Sequence, residues 1–208
     1  MCNLYSITKG PEAIRRWFQL DLPLKSNLEP QDHVWPTDRA PIVRLDGAGR
    51  RELVSARWWL VPPWAKELKS KYPMFNARAE TLRDKASFRP PFEAGQRCLV
   101  PATGFYEHPV IGGKKTRHWI RLRGEELFAF AGLWEVNHRV PEAPVTSFVI
   151  VTTVANPLVA RLHPKRRMPA ILRPDDYGPW LDPATPPEDA LAVLRTWPEA
   201  DMTAEPVQ

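Results

Sequence analysis

Residues 97–107 read Arg97-Cys98-Leu99-Val100-Pro101-Ala102-Thr103-Gly104-Phe105-Tyr106-Glu107. Short apolar runs parted by proline and glycine are the mark of strands rather than helices. Two strands are expected here, Arg97 to Pro101 and Gly104 to His108. The same pattern recurs downstream at Arg117 to Leu122, Leu127 to Leu133 and Ser147 to Thr152. Upstream, Ile42 to Arg44 and Glu52 to Trp58 flank an Asp46-Gly47 turn and predict a hairpin. Asp21 to Pro41 reads as irregular, and Val61 to Pro73 as a loop bounded by prolines and carrying Trp64. Helices are few. Pro11 to Leu20 places Ile14, Trp17 and Phe18 on one face behind a first-turn proline. Glu188 to Thr196 is the second, with Ala190, Leu191, Val193 and Leu194 apolar. Many short strands with two or three helices predict an α+β fold on a curved or barrel-like antiparallel sheet.

Composition agrees. Proline makes up 24 of 208 residues, about 11.5% against about 5% in average usage. That density excludes helical bundles and coiled coils, because proline breaks helix interiors. Disorder is excluded by a 43% hydrophobic content and nine tryptophans. The length fits one domain over residues 1–208, with 182–208 as an acidic C-terminal helix and tail. Two cysteines, Cys2 and Cys98, are too few for a secreted disulfide framework. No basic segment followed by an apolar stretch opens the chain, and no window approaches 18 apolar residues. A cytosolic, nucleoid-associated protein with no membrane contact is expected.

The net charge of +5 conceals an asymmetry. Residues 182–208 hold six acids and one base, leaving 28 bases against 18 acids in residues 1–181. Twenty of the 29 bases are arginine, whose planar fork suits phosphate. An arginine- and tryptophan-rich body is compatible with nucleic acid, through phosphate contacts and stacking on unpaired bases. It is equally compatible with a solvated surface of mixed charge.

Cys2 is the most informative residue. Removal of Met1, the usual fate of a methionine before a small residue, would leave an N-terminal cysteine with amine and thiol two carbons apart. Both groups titrate near neutrality, at about 7.7–8.0 and about 8.5. The amine can condense with an aldehyde and the thiol can then close a five-membered thiazolidine ring. Alternatively the thiolate attacks an acyl carbon as an N-terminal nucleophile, or Cys2 is an inert second residue.

Five further motifs follow in order. They are Pro36-Thr37-Asp38-Arg39-Ala40-Pro41, then Ala56-Arg57-Trp58-Trp59 running to Trp64, then Phe75-Asn76-Ala77-Arg78-Ala79-Glu80-Thr81. Residues 97–107 come next, and Leu162-His163-Pro164 to Arg167-Met168-Pro169 closes the series. With Met1-Cys2 these resemble the SRAP family, the SOS-response-associated peptidases or abasic-site-processing proteins, from Cys2 to about Leu181.

The resemblance implies an SRAP fold and a sensor of abasic sites in single-stranded DNA. Cys2 would join the ring-opened sugar as a thiazolidine, a DNA–protein crosslink that shields the lesion in the damage response. Peptidase activity would be confined to removal of Met1, with lyase chemistry as a side reaction. Asn76 matches the family asparagine that orients the amine and the sugar, and Glu107 the glutamate that shuttles protons. His163 matches the histidine that opens the sugar ring. Arg78 and Arg167 match arginines that grip phosphates flanking the lesion, and Trp64 lies in the loop that wedges against nearby bases. A surface ion pair for each arginine and a core anchor for Trp64 are the alternatives. No cofactor is implied, a monomer is expected, and no Cys-x-x-Cys or His-x-x-x-His offers a metal site.

The chain also departs from the family pattern. Asn3 and Leu4 replace the usual Gly-Arg, Trp59 a glycine, Thr103 an aspartate and His108 a tryptophan. Four residues rather than two separate His163 from Met168, which leaves Arg166 and Arg167 competing for one role. A thiol peptidase or amidase and a non-catalytic single-strand binder are the competing functions.

Overall fold

The computed structural model describes residues 2–20 and 28–207. Met1, whose removal the sequence reading expects, and residues 21–27 of the expected irregular segment lie outside the described residues.

The core is a closed barrel of five strands: Arg39–Leu45, Arg51–Trp58, Arg97–Ala102, Phe128–Asn137 and Val145–Val154. Around the ring, Val145–Val154 is followed by Arg51–Trp58, Arg39–Leu45, Arg97–Ala102 and Phe128–Asn137, which pairs back to Val145–Val154. Four seams are antiparallel. The fifth, Ser147↔Arg57 and Phe148↔Trp58, is parallel. The expected barrel-like α+β fold is present, and one of its seams is parallel for a topological reason. Directions cannot alternate around an odd number of strands, so one seam must be parallel.

The expected hairpin forms with wider bounds, from Arg39↔Arg57 to Leu45↔Arg51. Its first strand includes Pro41, so the irregular reading of Asp21 to Pro41 fails at its end. It fails again at Gln31–Val34, a strand of the second sheet. Pro41 and Pro101 are tolerated in barrel strands because the seam between those strands is reduced to one register pair, Val43↔Leu99. A residue without an N–H costs nothing where no ladder bond is made.

Aromatic rings fill the interior. Tyr5, Trp58, Phe130 and Phe148 are fully buried. Tyr5 meets Trp58 edge-on at 5.0 Å and Phe130 at 5.8 Å. Each such ring contributes about 1.5–3 kcal/mol through burial, and well-oriented pairs add about 0.5–1.5 kcal/mol.

A second sheet of five antiparallel strands lies beside the barrel, in the order Met202–Val207, Arg117–Leu122, Gly104–Glu107, Tyr5–Ile7 and Gln31–Val34. The C-terminal region departs from the expected helix and tail. The helix is shorter, Pro187–Ala192, and the chain ends in a strand paired to Arg117–Leu122 from Leu122↔Met202 to Arg117↔Val207. Met-Thr-Ala-Glu-Pro-Val carries no strand pattern of its own, and the open sheet edge supplies it. Gly104 is required in this sheet. A Cβ there would lie 2.1 Å from the Trp119 indole nitrogen, which packs directly over the backbone.

Candidate active site

Four elements converge on the N-terminal residues. The Tyr5–Ile7 strand lies between Gln31–Val34 and Gly104–Glu107, with Tyr5 opposite both Val34 and Phe105. The Tyr106 amide donates to the Leu4 carbonyl at 2.9 Å, extending that alignment toward Cys2. The Asn76–Arg78 strand runs parallel to Ile150–Thr152 and sets Asn76 at its start. Asn76 Nδ2 donates to the Cys2 carbonyl at 2.7 Å. Glu107 ends its strand, buried, with Oε2 4.0 Å from His163 Nε2. His163 follows the Pro157–Leu162 helix, which Asn156 caps by accepting the Val159 amide at 2.9 Å.

The extra residues after His163 fold back on it. Arg166 is left-handed, with φ 49, and its amide donates to the His163 carbonyl at 2.9 Å. His163 Nδ1 accepts from the Lys165 and Arg167 amides at 3.1 and 3.3 Å. An acceptor Nδ1 fixes the tautomer: in the neutral ring the proton sits on Nε2, facing Glu107.

Cys2, Asn76, Glu107 and His163 are all buried. Burial pushes the Glu107 carboxyl up to about 8 and the His163 imidazole down to about 4. Burial also lifts the Cys2 thiol well above its ordinary range, with the neighbouring Glu107 adding to the effect. Each shift disfavours the charged form. Near neutrality the cluster therefore holds a protonated carboxyl, a neutral imidazole and a thiol. Two of its polar atoms, Asn76 Oδ1 and Glu107 Oε1, are buried without a hydrogen-bond partner among the described residues. Unpaired buried oxygens in a cluster of shifted groups are what a site for a polar ligand presents.

The other three residues singled out in the sequence are Arg78, Arg167 and Trp64. Arg78 is exposed, two residues along the strand from Asn76. Arg167 is buried, and its guanidinium pairs with Glu80 at 2.6 Å and donates to the Thr152 carbonyl at 2.6 Å. Arg166 is exposed. Trp64 is half exposed, so it is no core anchor. Its loop is fixed separately from the cluster. The Val61 amide donates to Ser147 Oγ at 2.9 Å, and Asn137 Nδ2 donates to the Pro62 and Ala65 carbonyls at 2.6 and 3.0 Å. Asn137 and Glu80 were not singled out from the sequence. Glu80 stood in a quoted motif beside Arg78, whereas nothing local marks Asn137.

The whole chain, residues 1–208, matches the family model described as SOS response associated peptidase (SRAP). The chain belongs to the SRAP family. It is 37% identical over 208 residues to the abasic site processing protein YoqW of Bacillus subtilis, covering 98% of this chain and 91% of that one. It is 32% identical over 185 residues to the abasic site processing protein HMCES of Gallus gallus, covering 77% of this chain and 54% of that one. Two crystal structures share the SRAP fold at a TM-score of 0.86. One is a Bacteroides thetaiotaomicron protein, 26% identical, covering all of this chain and 92% of that one. The other is a Bordetella bronchiseptica protein, 27% identical, with full coverage of both.

The departures from the SRAP pattern acquire physical roles. Leu4 is fully buried, in place of a basic residue. Thr103, in place of aspartate, is buried and bonds Ser6 Oγ at 3.1 Å, tying the N-terminal strand down. Cys98 is buried in a barrel strand, its thiol raised above the ordinary range by burial. Among the described residues no group of three His, Cys, Asp or Glu could hold a metal ion, and no helix is long and apolar enough to cross a membrane.

Proposed function

We propose that this SRAP chain processes abasic sites in DNA, acting on single strands by covalent capture through Cys2 after Met1 is removed. The names of the curated relatives, abasic site processing proteins, support the lesion class. The observation that carries the chemistry is the buried quartet, in which Asn76 grips the Cys2 carbonyl at 2.7 Å while Glu107 and His163 face each other at 4.0 Å.

In this reading the Cys2 amine attacks the C1 aldehyde of the ring-opened sugar, and loss of one water gives an imine. The Cys2 sulfur then adds to the carbon of the protonated imine, and its proton returns to the Glu107 carboxylate as the thiazolidine closes. The balance is one water released and no redox change. Glu107, protonated near neutrality, donates to the departing water and takes the proton back from the thiol. His163 Nε2–H donates a hydrogen bond to the sugar ring oxygen, which takes up the proton released by the C1 hydroxyl as the ring opens. Asn76 fixes the Cys2 backbone so that amine and thiol reach one carbon. A thiol peptidase is less well supported, because burial keeps Cys2 protonated.

A single-stranded oligonucleotide with one abasic site, mixed with purified protein, is expected to give a band that survives denaturation. Cys2→Ala is expected to give none. Absence of the band with the native protein, at an intact mass lacking Met1, would sink the reading.

A further inference from the structure

A cavity of about 560 Å³ reaches the reactive cluster at Asn76. Asn76 lines the cavity, and its Nδ2 donates to the Cys2 carbonyl at 2.7 Å. One amide side chain therefore borders the cavity and holds the reactive cysteine. Its Oδ1 is buried with no hydrogen-bond partner among the described residues. The volume falls in the range of small-molecule sites, about 300–1,000 Å³.

The wall is largely apolar and includes Tyr72, Pro73, Met74, Ala86 and Phe88. Met74 and Phe88 are buried, whereas Tyr72 is 69% exposed. Two cations border the cavity, Arg78 and Lys85. Both are exposed, so their charged ends reach water while their stems cover apolar surface. Among the described residues no carboxylate lines it. Backbone bonds fix both sides. The Met74 carbonyl accepts the Leu60 amide at 3.0 Å, and the Phe75 carbonyl accepts the Trp58 indole N–H at 2.8 Å. Opposite, the Lys85 carbonyl accepts the Phe88 and Arg89 amides at 2.9 and 2.8 Å.

Thiazolidine formation consumes an aldehyde carbon, an amine and a thiol. No bond that forms or breaks belongs to a sugar ring or a phosphate once the aldehyde is free. The choice of aldehyde then rests on what the neighbouring surface binds. An apolar cavity beside Asn76 fits an alkyl chain, which leaves water on entry.

We propose that this chain has a second activity, the capture of free apolar aldehydes of medium chain length such as hexanal, with the carbonyl at Cys2 and the alkyl chain in the Met74–Phe88 cavity. The inference rests on the reading of Cys2 as a thiazolidine-forming N-terminus and extends it to a substrate class without DNA. The Cys2 amine adds to the aldehyde carbon, and the carbonyl oxygen leaves as water with a proton from Glu107. The sulfur adds to the carbon of the protonated imine, and the thiol proton returns to the Glu107 carboxylate. One C–N and one C–S bond replace the C=O bond, with no redox change.

Any N-terminal cysteine reacts with aldehydes, so selectivity is the signature. The test is intact-mass spectrometry, after denaturation, of protein incubated with acetaldehyde or hexanal, with a peptide of residues 2–8 as the reference. The native protein, at a mass lacking Met1, is expected to gain the mass of each aldehyde less one water. Capture of hexanal is expected to be about thirtyfold faster than that of acetaldehyde, less than the fourfold or so per methylene of complete burial. The peptide is expected to show no such preference, and Cys2→Ala no gain that survives denaturation. Ser87→Phe, which puts a ring into the cavity, is expected to bring hexanal down to the acetaldehyde rate and leave the acetaldehyde rate as in the native protein. Tyr72→Ala, at an exposed position, is expected to cut the preference about threefold.

A hexanal preference equal to the peptide's, or one that survives both substitutions, would overturn the inference. If the native protein shows the cavity-dependent preference but never crosslinks the abasic oligonucleotide, the DNA reading fails and aldehyde capture stands. If it crosslinks the oligonucleotide while its preference matches the peptide's, aldehyde capture fails alone.

Discussion

The Glu80 carboxylate takes both terminal nitrogens of Arg167, with Nη1 at 2.6 Å and Nη2 at 2.9 Å. Arg167 also reaches the Thr152 carbonyl at 2.6 Å. Three segments meet in this bridge: the turn after Asn76, the C-terminal end of a barrel strand, and the chain just past His163. The pair therefore fixes the site asparagine relative to the site histidine. Arg78 and Arg166, by contrast, are exposed.

Glu80→Ala is expected to cost about 1–2 kcal/mol, less than a fully buried pair because the Glu80 side chain is half exposed. Arg167 holds the Glu80 carboxyl below the usual range. The bridge thus stabilises the fold above the ordinary glutamate value and weakens as pH falls through the lowered one. Urea midpoints of native and Glu80→Gln protein should differ at pH 7 and converge below about pH 4.

Glu107 is expected to behave in the opposite sense. Its carboxyl titrates near 4.3 in the unfolded chain and near 8 in the fold. Stability is therefore fully present below pH 4 and is lost as pH rises through 8. Glu107→Gln, which stays neutral, is expected to gain about 2–4 kcal/mol on the native protein at pH 9 and to show little difference at pH 4. In the proposed reaction, crosslink formation is expected to slow in the native protein as pH rises past 8. A native rate that climbs steadily to pH 10 would remove Glu107 as the proton donor.

His163 carries a structural and a chemical duty that two variants separate. Its Nδ1 accepts two backbone amides, so His163→Ala leaves both unpaired and is expected to cost about 1–3 kcal/mol. His163→Asn places an amide oxygen near the Nδ1 position and is expected to recover much of that stability. It has no group at the Nε2 position facing Glu107, so the crosslinking rate is expected to stay depressed about 100-fold, within the usual range for a lost positioned hydrogen-bond donor. The fall of the imidazole to about 4 also predicts that His163 destabilises the fold as pH drops from 6.5 to 4.

Asn137 is fully buried and uses its whole amide, donating to Pro62 and Ala65 and accepting the Arg139 and Val140 amides at 2.7 and 3.0 Å. Asn137→Ala is expected to cost about 2–4 kcal/mol and to release the Trp64 loop. Limited proteolysis is the direct measurement: the loop 61–73 should be cut in the variant under conditions where the native chain survives.

Much of the strand pattern was legible because it is local. Arg97–Ala102 and Gly104–Glu107 are both strands, and the Asp46-Gly47 turn joins two strands as expected. Each depends on residues within one short window. The edge strand Met202–Val207 was not legible, since its residues take their conformation from Arg117–Leu122 across the sheet. The parallel seam was hidden for a related reason, because closure of the ring is a property of all five strands together.

For the site, the ordered motifs marked Cys2, Asn76, Glu107 and His163 as residue types, and the fold buries all four. Residue type alone cannot set a protonation state. A strand-end glutamate is by default solvent-facing and ionised, and only burial raises Glu107 to about 8. The same holds for Arg167, whose partner Glu80 lies 87 positions away in the chain. By itself the sequence determined the strand-rich composition, the order of the motifs and the chemistry each side chain can offer. The tertiary structure alone decided which of those side chains are buried together, which face water and which are already paired. Desolvation and ion pairing depend on distances between residues remote in the chain.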